Sequence, residues 1–158
     1  MAVSVAVTDQ QRQRAFADLL VGLKCLQSVP ASDVHYLLYH AIRPFSVGPR
    51  ATIYEQDRDV EHLYFLQKGA VYQSRAETDS SGQPRLVLRR EVGAGTLLAR
   101  YDLLYDQQYS TKARSVNVCD LIEIEAAAFN RLLHRFPTLR NELAPLQLIG
   151  RLRTIPLL

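Results

Sequence analysis

EVGAGTLLARYDLLYDQQYSTKARSVNVCDLIEI, residues 91–124, is the stretch on which the reading of this chain turns. It opens on the turn Gly93-Ala94-Gly95 and passes through a short apolar-polar segment with room for one or two helical turns. A polar loop follows, then two strand-like runs. Val116-Asn117-Val118 and Leu121-Ile122-Glu123-Ile124 alternate so as to bury one face. A strand–turn–short helix–strand unit leaves backbone N–H groups free at the helix start, where an anion can bind. The stretch therefore reads as a candidate ligand cradle, with strands expected before it and helix after it.

Working outward toward the N-terminus, residues 43–91 hold the short runs PFSV, ATIY, HLYFLQ, AVYQSRA and RLVLRREV. Turn chemistry separates them: Gly48-Pro49, Gln56-Asp57-Arg58-Asp59, Lys68-Gly69 and Asp79-Ser80-Ser81-Gly82. Short strands so punctuated predict an all-β roll or barrel, with Thr78–Pro84 as a mobile hairpin loop. Further upstream, Phe16, Leu19, Leu20, Leu23 and Leu26 recur at helical spacing and predict an amphipathic helix over about 9–27. Thr8 and Gln11 form a capping box at its start, and Pro30 stops it. Ser32 is expected to cap a second short helix with Leu37, Leu38 and Ala41 on its inner face.

Toward the C-terminus, helix-favouring sequence begins at Glu125. Phe129, Leu132 and Leu133 repeat at three and four, Phe136-Pro137 interrupts, and a further helix runs through Leu139, Leu143, Leu146, Ile149 and Leu152 with a bend at Pro145. The resulting division is a loose arm at 1–8, a domain at 9–142 and a closing helix or linker at 143–158. The ending RLRTIPLL is apolar and has no partner left in the sequence, which predicts a longer parent protein. Leu26-Gln27-Ser28-Val29-Pro30 and Leu152-Arg153-Thr154-Ile155-Pro156 share one pattern after a glycine-containing helix. That echo leaves open a second copy of the domain after residue 158.

At 158 residues the chain is one domain by length, and its 47% hydrophobic and 22% charged residues are ordinary for a globular fold. A net charge of +3 permits an anionic ligand without a clustered basic face for nucleic acid. Arg85, Arg89 and Arg90 come nearest to a patch and read as a solvated strand face. Cys25 and Cys119 stand far apart in apolar runs, as buried free thiols. No signal peptide and no run of ~18–20 apolar residues for a membrane span is visible, so a cytoplasmic location is expected. His35 and His40 do not share a helix face, and His62 and His134 stand apart, so no metal site is expected. No P-loop, Gly-x-Ser-x-Gly or His-Glu-x-x-His occurs, and Glu55, Asp57 and Asp59 read as loop charges; the enzyme class is excluded on these grounds. No helix-turn-helix fits after the closing helices, so nucleic acid is not an expected partner.

The order of elements, together with Ile53-Tyr54-Glu55-Gln56-Asp57, Leu63-Tyr64-Phe65-Leu66 with Gly69, Gly95, and Cys119-Asp120-Leu121-Ile122-Glu123-Ile124 leading to Phe129, resembles the cyclic-nucleotide-binding domain of catabolite-activator-type regulators, nucleotide-dependent kinases and gated channels. The resemblance covers about 15–140. It implies a mainly β fold with flanking helices: an antiparallel, jelly-roll-like β-roll with N-terminal helices and two C-terminal helices. It also implies a phosphate-binding cassette reading Gly-Asp-x-Phe-Gly-Glu, a short helix, and Arg-Ser/Ala-Ala-Thr. In the family the glutamate accepts from the ribose hydroxyl and the arginine holds the cyclic phosphate.

Laid on this chain, the cassette falls on Gly95, Leu98, Ala99, Arg100, Tyr109, Ser110 and Thr111, and it is degenerate. The glutamate position is Arg100, which has donors only. The arginine position is Tyr109, one neutral hydroxyl in place of a charged fork. Losing such a charge-assisted contact costs about 1.5–3 kcal/mol, roughly one to two decades of affinity. Ala99 puts a Cβ where the family has glycine. Two readings follow. The first is a non-catalytic regulatory module with weak or no binding of cAMP or cGMP and no resident cofactor, acting through other domains of its parent protein or a protein partner. The second is a sensor that takes a cyclic or other anionic nucleotide in an altered pose through Arg100, Ser110 and backbone amides, with Lys112 and Arg114 extending the basic surface. Against it stands an Arg100 that snorkels to solvent or pairs with Asp102 or Asp106. A homodimer through an apolar surface is compatible with either.

Overall fold

Eight strands form from the runs that alternate or stay continuously apolar, and they pair only with antiparallel neighbours. The computed structural model describes residues 6–143. In chain order these are α1 (Asp9–Gly22), α2 (Ala31–Leu38), β1 (Ile42–Val47), β2 (Thr52–Tyr54), β3 (His62–Lys68), β4 (Ala70–Thr78), β5 (Pro84–Gly93), β6 (Leu97–Leu98), β7 (Lys112–Ser115), β8 (Cys119–Glu125) and α3 (Ala126–Arg135). Short 3-10 turns occupy Lys24–Ser28 and Tyr39–Ala41, a π-helical turn occupies Asp102–Asp106, and residues 137–143 are helical. The helix expected beyond 143, the bend at Pro145 and the echo at 152–156 lie outside the described residues.

One sheet has the order β1-β8-β3-β6 and the other β2-β7-β4-β5. They face each other as the expected β-roll. Leu66, Val71, Ala113, Cys119 and Leu121 are fully buried. The outer face of the first sheet is closed by helices: Gln67 donates to Asp18 of α1 at 3.1 Å, and α2 packs on α3, whose Phe129 and Leu132 are fully buried. Arg12 fixes α1 over the start of β1 by donating to the carbonyls of Tyr39 (3.1 Å) and Ile42 (2.7 Å). Among the described residues no helix is long and apolar enough to cross a membrane.

Several expectations are corrected by distant contacts. The capping box is present, with Gln11 N–H on Thr8 Oγ1 at 3.1 Å and Thr8 N–H on Gln11 Oε1 at 2.9 Å. However, α1 ends at Gly22, and 24–28 continues only as a 3-10 turn. Gly22 lies under the Phe65 ring, where an added Cβ would meet Cζ at 2.5 Å. Ser32 does not cap α2; Pro30 takes that position, and its carbonyl accepts from Asp33 and Val34. Val34 of α2 is fully buried, beside the expected Leu38. The strand expected at Val116–Val118 is a turn, because the Asn117 side chain accepts the Ala70 N–H at 2.9 Å and Ser115 Oγ donates to Gly48 O at 2.6 Å. Cys119 is buried, whereas Cys25 is only half-buried; both are free thiols.

Candidate functional site

The cradle is built by two glycine-like backbone conformations and one strand edge. Gly95 has φ +92°, and its N–H donates to Leu66 O at 2.8 Å, which turns the chain back along β3 into β6. Leu98 pairs with Tyr64 and is buried. Ala99 then takes φ +71°, so the position keeps the geometry for which glycine is suited even though it carries a Cβ. Its carbonyl accepts the Leu103 N–H at 3.0 Å, opening the π-helical turn. Gln107, at φ +63°, ends that turn by donating from its backbone to Asp102 O and from its side chain to Leu103 O.

The following loop is zipped to residues 57–60. Val60 N–H meets Gln107 O, Asp59 bridges Gln108, and Tyr109 exchanges backbone bonds with Asp57 and Arg58. This zipper aims the Tyr109 side chain into the roll. Its hydroxyl donates to His62 O at 2.8 Å and accepts from His62 N–H at 3.3 Å, and its ring stacks on Tyr54 with centroids 4.2 Å apart. Only 4% of Tyr109 is exposed. Burial, the largest cause, holds its hydroxyl above the ordinary value. Tyr54 is pushed up to about 12 by burial, partly offset by hydrogen bonds with Gln73 and Thr111. The residue expected at the family's arginine position is thus a core tyrosine.

Between the cassette and the inner face of β4 and β5 lies a cavity of about 190 Å³ lined by Gln73, Arg90, Ala99, Arg100, Ser110 and Thr111, among others. A cleft of about 440 Å³ adjoins it, sharing Arg90, Tyr101, Ser110 and Thr111 and adding Arg75 and Tyr109. Five of the seven sequence-derived site residues therefore line the cavity or cleft. Gly95 and Leu98 shape the backbone behind it without lining it.

Two lining side chains escaped the sequence reading. Gln73 of β4 pairs in register with Arg90 of β5, and Val71 with Val92, so Arg90 shares the inward face with apolar neighbours. Arg85, Arg89 and Arg90 are all exposed, as expected, but they do not share one face: Arg89 lies over the Tyr72 ring, while Arg90 donates from Nε to Gln73 Oε1 at 2.8 Å and lines the cavity. The two-residue period of RLVLRREV counted back from Val92 carries that signal. Arg75 Nη1 donates to Ser110 O at 2.8 Å and tethers the cassette to β4. It is itself paired with Glu77 at 3.3 Å and Asp57 at 3.7 Å.

Arg100 is half-buried, and among the described residues no ion pair joins it or Arg90 to a carboxylate. Arg100 is held below its ordinary pKa, first by burial and further by the charge of Arg90, while Cys25 acts in the opposite sense. Lys112 and Arg114 do share a face of β7, but it is not the cavity face. Lys112 sits 3.8 Å from Glu55, and Arg114 donates to Arg50 O. Among the described residues no group of His, Cys, Asp or Glu is arranged to hold a metal ion.

The cassette is also joined to the closing helix. Arg140 donates to Leu104 O at 2.9 Å, Arg135 pairs with Asp33 at 3.2 Å, and Ser28 donates to Glu142 at 3.3 Å.

A family model described as "cyclic nucleotide-binding domain" matches residues 44–136. No curated protein sequence matches the chain. Among solved structures, the chain is similar to the regulatory domain of Toxoplasma gondii PKA with cAMP (23% identity, TM-score 0.60), over 80% of this chain and 46% of that one. It is similar to the Thermus thermophilus catabolite activator protein (24% identity, TM-score 0.60), over 84% of this chain and 60% of the other. It is also similar to the regulatory subunit of a cAMP-independent protein kinase A from Trypanosoma cruzi bound to guanosine (17% identity, TM-score 0.63), over 79% of this chain and 42% of that one. The chain thus spans about half the length of these proteins.

Proposed function

The chain belongs to the cyclic nucleotide-binding domain family, and we propose that it is a non-catalytic regulatory module that does not hold cAMP or cGMP in the family's manner and acts through contacts with other domains or a protein partner. The observation that carries this reading is the direction of Tyr109. At the position where the family's arginine grips the cyclic phosphate, the side chain is committed to the roll, with its hydroxyl satisfied on both sides by His62. A guanidinium at Arg100 cannot accept from a ribose hydroxyl, so the second family contact is lost as well. The tie from Arg140 to Leu104 O gives the closing helix a direct hold on the cassette, a route by which contacts at one are felt at the other. The T. cruzi subunit is an example of this fold described as cAMP-independent.

The test is thermal unfolding with and without millimolar cAMP and cGMP. A ligand that binds only the folded state must raise its stability, by about 2.7 kcal/mol at a hundred times its Kd. No shift is expected, and a clear rise with either cyclic nucleotide would overturn the reading. Sizing chromatography at high concentration checks self-association, and a strict monomer would remove the homodimer. A second reading, a sensor of an anionic ligand, is favoured by one observation: Arg90 and Arg100 line one cavity with no carboxylate pairing them among the described residues.

A further inference from the structure

The charge at this cavity has the wrong sign for the family's ribose contact and the wrong multiplicity for a cyclic diester. Arg90 reaches it from β5 and Arg100 from the cassette, and the charge of Arg90 is felt at Arg100. Gln73 occupies only the Nε of Arg90, so the two Nη groups keep their donors. Holding two like charges at one cavity opposes folding, and among the described residues no ion pair neutralises them. Asp102, a buried carboxylate, also lines the cavity, so an anion there sits on the arginine side of it. The hydroxyls of Ser110 and Thr111 complete the wall. Arg75, neutralised by Asp57 and Glu77, holds Ser110 in place by its carbonyl.

We infer that this cavity takes a phosphate monoester, with the dianionic phosphoryl group between Arg90 and Arg100 and the organic body in the adjoining cleft. The physical basis is charge matching. A monoester carries close to two negative charges near neutral pH and offers three acceptor oxygens, so each guanidinium can meet two of them with one oxygen shared. A cyclic phosphodiester carries one charge and cannot satisfy both. The cavity of about 190 Å³ has room for a phosphoryl group, and the cleft of about 440 Å³ for a sugar or nucleoside. The inference rests on the reading that the family cassette is degenerate, since it reassigns the same cavity to a ligand of higher charge.

The test compares AMP with cAMP, which share base and sugar and differ in phosphoryl charge, with inorganic phosphate as a third probe. Melting temperatures and calorimetric titrations are recorded for the full chain and for Arg90→Gln and Arg100→Gln. AMP is expected to stabilise the unaltered protein and cAMP to leave it unchanged. Each substitution is expected to weaken AMP by about tenfold to a hundredfold, the loss of one charge-assisted contact. Without ligand, Arg100→Gln is expected to melt at or above the unaltered protein, because one member of a repelling pair is gone; Arg90→Gln also gives up the bond to Gln73 and is read for AMP affinity alone. A lower ligand-free melting temperature of Arg100→Gln would place that guanidinium in the fold and overturn the inference. So would AMP affinity unchanged by both substitutions. Silence from AMP and phosphate would sink the monoester site alone and leave the degenerate reading standing; stabilisation by cAMP would sink both.

Discussion

Removing the hydroxyl of Tyr109 separates a core residue from a ligand-facing one. Tyr109→Phe keeps the ring that stacks on Tyr54 at 4.2 Å and deletes only the group that serves both backbone atoms of His62. The donated bond to His62 O, at 2.8 Å, is short; the accepted one, at 3.3 Å, is long and contributes less. Leaving these part-buried backbone groups without their partner costs about 1–2 kcal/mol. For a domain of this length that corresponds to a melting temperature lowered by roughly 2–8 °C. The companion change Tyr109→Arg restores the family's residue type but vacates the ring's place in the roll, a loss of about 3–5 kcal/mol by analogy with large aromatic truncations. Denaturant titration followed by tyrosine fluorescence or far-ultraviolet dichroism measures both. A Tyr109→Phe protein within 0.5 kcal/mol of the unaltered one, or a Tyr109→Arg protein that folds and is stabilised by cAMP, would refute the placement of this side chain in the core.

Three other perturbations have clear expected outcomes. Gly69→Ala should destabilise by at least about 2 kcal/mol in urea unfolding, since φ is +100° and the new Cβ would lie 2.5 Å from Val118 O. Arg140→Ala should cost about 1.5–3 kcal/mol for the lost charged bond to Leu104 O, and should speed hydrogen exchange around the π-helical turn. Burial raises the pKa of Tyr54 to about 12 and raises Tyr64 and Tyr109 as well. These phenols hold on to their protons in the folded state above the ordinary value of 10.0, so their contribution is full below that pH and is lost as pH rises through their folded values. Stability should therefore fall above about pH 10, and an ultraviolet titration of the eight tyrosines should show a late-ionising group that moves to the ordinary range in denaturant. Ionisation of all eight in one ordinary step would contradict the burial.

Much of the fold was legible because its signals are local. Strand runs bounded by Gly-Pro, Lys-Gly and Asp-Ser-Ser-Gly became β1 to β5 within a residue or two, and the Thr8–Gln11 capping box formed as written. The sequence also sets Ala99, Arg100 and Tyr109 as expected departures from the family pattern, where residue type alone would remove an acceptor or a charge. Arg90 was readable in principle from the two-residue period ending at Val92. Its exposure agrees with the solvated face that Arg85, Arg89 and Arg90 suggest, and only the register with Gln73 sets it beside the cavity.

What the sequence could not carry was which distant groups meet. Whether 116–118 continues as strand depends on Asn117 reaching the Ala70 N–H beside Gly69, and where α1 stops depends on the Phe65 ring beneath Gly22. The cavity's chemistry is set in the same way. Tyr109 turns inward because the 57–60 and 107–109 backbones zip together, and Arg100 faces Arg90 because the cassette folds back over β5. By itself, the sequence determined the period of each segment, the turns between them and the residue types at the expected cassette positions. Tertiary structure alone decided the direction of the replacements and the charge each one faces, because sheet register and helix packing bring together residues whose separation along the chain carries no period.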